Sequence, residues 1–72
     1  MLPKSMQNAL SANVRRRRKE LGMTAEELGR RAGITGAGVR QIEIGNRGRE
    51  PRFSTVLGLS AALGCTIDEL MH

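Results

Sequence analysis

The sequence predicts an all-α domain of five short helices closing on one small core. Three observations predict it. Apolar residues recur at helical spacing: Leu10 and Val14, Leu28 and Ala32, Val39 and Ile42, then Val56, Leu59 and Leu63. An apolar residue followed by threonine occurs at Met23-Thr24, Ile34-Thr35 and Cys65-Thr66, and threonine is a good helix N-cap. Glycine stands where each helix should stop, at 22, 33, 45 and 64, since a left-handed turn is cheap only for glycine. A chain of 72 residues allows one domain, and with one Phe and no Trp or Tyr its core must be aliphatic.

Residues 1–7 read as a loose arm, because Pro3 and Ser5 discourage early helix and termini fray. The domain proper is then 8–72. Asn8 or Ser11 caps the first helix, Leu10, Val14 and Leu21 form its inward stripe, and Gly22 ends it. Thr24 and Glu27 form a capping box for the second helix, with Met23 and Leu28 as its hydrophobic staple. Thr35 caps the third helix, which runs to Ile44 with Val39 stapled against Ile34. These two helices, joined by about four residues with Gly33 in the turn, make a helix-turn-helix. The stretch Gly45 to Pro51 is a loop of turn formers. The fourth helix covers Ser54 to Leu63, with Phe53 packing at its start, and Thr66 with Glu69 opens a short fifth helix.

Two charges fall on inward stripes. Arg18 lies four residues after Val14, and Glu43 four after Val39. An unpaired buried charge is very costly, so the two are expected to pair across the core. The alternative is that both snorkel to water.

The net charge is +5, and all 12 Lys and Arg lie within residues 1–52. One side of the molecule should therefore be strongly positive, as suits a polyanion. The uncharged stretch from Phe53 to Ile67 is too short for a membrane span, and Met1 to Leu10 lacks the apolar core of a signal peptide. The single Cys65 excludes an internal disulfide, fits a reducing cytoplasm and reads as a small hydrophobe. No set of side chains suits nucleophilic or metal chemistry, so neither catalysis nor a cofactor is expected, and His72 is assigned no role.

The run T-x-x-x-L-G-x-x-A-G-I-T-x-x-x-V-x-x-I-E-x-G from Thr24 to Gly45 resembles the lambda-repressor and Cro-like (XRE-type) regulators. So do Pro51-Arg52-Phe53 and the stretch from Ala61 to Leu70, and the likeness spans about Asn13 to Met71. It implies the five-helix lambda-repressor-like fold. It also implies a sequence-specific transcriptional regulator, a repressor by preference, binding double-stranded DNA at a palindromic operator as a homodimer in the cytoplasm of a bacterium or its phage. An antitoxin that masks a toxin while binding its own promoter, and a restriction-modification controller, are the alternatives. The same family pattern places an Arg and a Glu at 18 and 43.

The third helix would then lie in the major groove with its early residues at base edges. Its outward face carries Thr35, Gly36, Ala37, Arg40 and Gln41 as base readers. Arg40 suits guanine, Gln41 adenine and Ala37 a thymine methyl. Thr24, Ile44, Asn46, Arg47, Arg49, Arg52 and Phe53 are the expected phosphate contacts, helped by the free N–H groups at helix starts. Three residues depart from the family pattern. Gly36 has no side chain where a polar reader is common, Ile44 replaces a small polar residue, and Ala25 offers only its backbone. A recognition helix with Gly36 and Gly38, and few long polar side chains, points to limited direct readout supplemented by DNA shape.

Overall fold

The computed structural model describes residues 2–45 and 50–72. Among them are five helices: α1 (Lys4–Glu20), α2 (Ala25–Ala32), α3 (Gly36–Ile44), α4 (Phe53–Leu63) and α5 (Ile67–Met71). The all-helical expectation holds. None of the helices is long and apolar enough to cross a membrane. α2 packs on α3 and α4, while α1 lies across α3 and α5. The core is aliphatic, as the composition demanded. Leu10, Val14, Leu28, Val39, Leu59 and Leu70 are almost fully buried at its centre.

Local signals set most of the helix ends. The Glu27 N–H donates to the Thr24 hydroxyl at 3.0 Å, and the Gly38 N–H donates to the Thr35 hydroxyl at 3.0 Å. Only the third threonine forms a complete capping box, with Thr66 and Glu69 each receiving the other's backbone N–H. At Thr24 the box is half made, because the Glu27 carboxylate turns along its helix to accept from Arg31 at 2.9 Å. Gly33 closes α2 at φ 82°, a left-handed value that a side chain resists.

Three expectations about position are corrected. α1 begins at Lys4 rather than at Asn8 or Ser11, so residues 4–7 are helical rather than a loose arm. Pro3 starts it: its φ of −57° is already near-helical, its missing N–H is not needed there, and its carbonyl accepts from Met6 and Gln7. Leu2 and Met6 pack against the core and hold this turn in place. Leu21, placed on the inward stripe, is 56% exposed. The chain reverses just after it, and Met23, whose N–H donates to the Arg18 carbonyl, is buried in its stead. Phe53 is 71% exposed rather than packed at the start of α4.

Two glycines act by what they lack. A Cβ on Gly29 would lie 2.7 Å from the Ile34 carbonyl oxygen and 2.8 Å from the Thr35 carbonyl carbon. A Cβ on Gly58 would collide with the Ala32 carbonyl. The first lets the turn into α3 fold back on α2. The second lets α4 approach the end of α2 backbone to backbone.

Candidate nucleic-acid interface

The α2–turn–α3 unit presents one face of α3 to solvent. Val39 and Ile42 point inward, while Thr35, Ala37, Arg40, Gln41 and Ile44 are exposed and Gly36 is half-buried. Position in the helix explains this: residues 37, 40, 41 and 44 share one stripe at i, i+3, i+4 and i+7. Arg40 Nη1 donates to Glu26 Oε2 at 2.5 Å. That hydrogen bond is the first reason the Glu26 carboxylate sits below its ordinary pKa, and its own helix-start N–H adds to it. Sequence reasoning passed over Glu26. The only available signal was a carboxylate in the first turn of α2, which also suits the helix dipole.

Behind this face Arg18 and Glu43 hold α1 to α3. Arg18 Nε donates to Glu43 Oε2 at 2.7 Å and Nη2 to Oε1 at 3.0 Å, the two-pronged geometry that suits guanidinium and carboxylate. Nη1 donates to the Met23 carbonyl at 2.9 Å, so Arg18 also pins the turn into α2. Their side chains are 15% and 8% exposed, which excludes the snorkelling alternative. The hydrogen bonds to Glu43 raise the Arg18 pKa further, so its charge is permanent across accessible pH.

The four consecutive arginines of α1 have separate surroundings. Arg15 is exposed, and Arg16 donates to Asn13 Oδ1 at 3.0 Å. Both line a shallow groove with Lys19, Ile44 and Gly45 at the C-terminal end of α3. Arg17 turns the other way, 3.8 Å from Glu69 of α5, and Arg18 is interior. Helical geometry separates neighbours in sequence by about 100°, so a run of arginines cannot face one surface.

A second groove joins α3 to the start of α4, lined by Gln41, Ile44, Pro51, Arg52 and Thr55 among others. Arg52 is the exposed N-cap of α4 and makes no side-chain cap bond. With Phe53 exposed beside it, the first N–H groups of α4 are open to an anion. Thr24, the exposed N-cap of α2, lies at the start of the other helix that precedes α3. Ile44 is 78% exposed at the end of α3. Asn46, Arg47 and Arg49 lie outside the described residues. Cys65 is half-buried against the core, and burial pushes its thiol pKa up, as for an inert packing residue.

Five helices with a helix-turn-helix whose second helix offers a polar outer face define a regulator-type DNA-binding architecture. The chain belongs to the helix-turn-helix family, whose model matches residues 14–70. Among solved structures it is similar to the P22 c2 repressor protein in complex with synthetic operator 9T. The two are 32% identical, with a TM-score of 0.77, over 86% of this chain and 91% of that one. Comparison with curated protein sequences gives no match.

Proposed function

We propose that the protein is a DNA-binding transcriptional repressor that binds a palindromic operator as a homodimer, with α3 in the major groove. The observation that carries this reading is the exposed face of α3, flanked on one side by Arg15, Arg16 and Lys19 and on the other by Arg52 at the start of α4. Likeness to a repressor seen on its operator supports it. In this reading Thr35, Gly36, Ala37, Arg40 and Gln41 meet base edges. Thr24, Ile44, Arg52 and Phe53 meet phosphates, as do Asn46, Arg47 and Arg49, which follow in the sequence.

Arg40 and Gln41 are the two long polar side chains exposed on the α3 face, so they supply most of the direct readout. Each good bidentate contact discriminates between bases by about 1–3 kcal/mol. Selection from randomised duplexes should enrich a palindrome for the parent protein. Arg40→Ala and Gln41→Ala should each flatten one position per half-site while leaving thermal melts unchanged. A double variant that enriches the same palindrome with the same preferences would show that other groups read the bases.

Arg52 serves affinity rather than sequence. Arg52→Ala should weaken all duplexes alike and lower the slope of log affinity against log salt by about one unit. Loss confined to one sequence would instead mark Arg52 as a reader, with a narrow minor groove as its site.

A further inference from the structure

Glu26 and Gly36 complete the recognition face in a way their separate positions do not suggest. Glu26 belongs to α2, yet its carboxylate reaches Arg40 of α3 while both side chains stay more than half exposed, at 61% and 54%. An exposed ion pair adds little to stability, so its consequence lies elsewhere. The path of the Glu26 side chain is specific. It passes over Gly36, where a Cβ would lie 2.8 Å from Glu26 Oε2 and 3.0 Å from Cγ and Cδ. Only a residue without a side chain leaves that space open.

We infer that Glu26 is a specificity-determining residue: lodged over Gly36, it holds the Arg40 guanidinium at the outer face of α3, and Arg40 discriminates guanine as half of that pair. The inference rests on Arg40 being a base reader. The bond to Glu26 uses Nη1. That leaves the Nε–Nη2 edge, the same edge Arg18 turns to Glu43, free to donate to guanine O6 and N7. A free arginine loses much rotamer freedom when it docks, whereas one already held loses less. The carboxylate also stands within a Debye length of any phosphate that approaches this face, so it weakens binding to every duplex. Glu26 therefore trades affinity for discrimination.

Competition titrations of the full chain test this with two duplexes, the parent's selected operator and the same duplex with the guanine assigned to Arg40 replaced. Glu26→Ala should lower the preference for guanine about five-fold or more, near the low end of one bidentate contact, while raising affinity for unrelated duplexes. Gly36→Ala keeps both charges but displaces the carboxylate, so it should lower the same preference. In a Glu26→Ala background Gly36→Ala should change that preference no further, and in an Arg40→Ala background neither should. Thermal melts should not fall for either variant, since only a flexible side-chain end must move. If Arg40→Ala flattens the position and Glu26→Ala does not, the inference is wrong and Arg40 reads alone. If Arg40→Ala leaves the preference intact, the assignment of Arg40 as a reader is wrong and the inference goes with it.

Discussion

Arg18→Met should lower the free energy of unfolding by about 3–5 kcal/mol, because it leaves the Glu43 carboxylate buried without its partner. The Glu43 side chain is 8% exposed and takes two hydrogen bonds from Arg18, at 2.7 and 3.0 Å. Water has little access to replace them. The variant also removes the donor to the Met23 carbonyl, which loosens the turn into α2. A domain of this size has roughly 4–11 kcal/mol of total stability, at about 0.05–0.15 kcal/mol per residue. The loss is therefore about a quarter of it or more, and the variant should unfold at lower urea and lower temperature than the parent. Urea midpoints measure it, and an unchanged midpoint would mean that the pair contributes nothing. Replacing both partners, with Arg18→Met and Glu43→Leu together, should recover much of the loss, since apolar groups of similar shape need no partner. Recovery separates the cost of an orphaned charge from the cost of lost packing.

The second large effect is at Gly58. In an ordinary helix interior Gly→Ala stabilises by about 1 kcal/mol through backbone entropy. Here the added methyl would overlap the Ala32 carbonyl, which belongs to another helix's backbone and cannot swing aside. Overpacking of this kind costs about 1–3 kcal/mol, and Gly58 sits at the tight end because backbone must move. Gly58→Ala should thus destabilise by about 2 kcal/mol, opposite in sign to the propensity expectation. Gly36→Ala is the internal control: its methyl meets only the end of Glu26, and its stability should hold or rise. Denaturant midpoints of the two variants moving the same way would refute the close-approach argument.

Much of the fold was legible because its signals are local. Threonine caps at 24, 35 and 66 and left-handed glycines at 33, 45 and 64 act within a few residues of where they stand. The i, i+3, i+4 stripes named Leu10, Val14, Leu28, Val39, Ile42, Val56, Leu59 and Leu63 in the core, but not Met23, Ala25, Leu70 or Met71, which are also buried. The errors fell where local preference met packing. Pro3 and Ser5 look like helix breakers, yet α1 starts there because Leu2 and Met6 find the core. Leu21 looks interior, yet the turn at Gly22 hands its place to Met23. Phe53 looks like an anchor, yet it lies on the exposed side of the first turn of α4.

The candidate site divides the same way. The outward face of α3, with Arg40, Gln41 and Ala37, followed from periodicity once Val39 and Ile42 were taken as inward. The joining of Arg18 to Glu43 followed from two charges on apolar stripes. Periodicity could not say which way each arginine of α1 turns, because that depends on what lies across from it: Asn13 for Arg16, Glu69 for Arg17. Nor could it bring Glu26 to Arg40, 14 residues apart. The sequence by itself determined the five helices, most of their ends and inward faces, and the family, since caps, stripes and turns are properties of short segments. Only the tertiary structure decided which helices touch so closely that Gly29 and Gly58 are required, and that a carboxylate from α2 occupies the gap at Gly36. Those depend on the distance between backbones, which arises when separate segments pack and is written in no one of them.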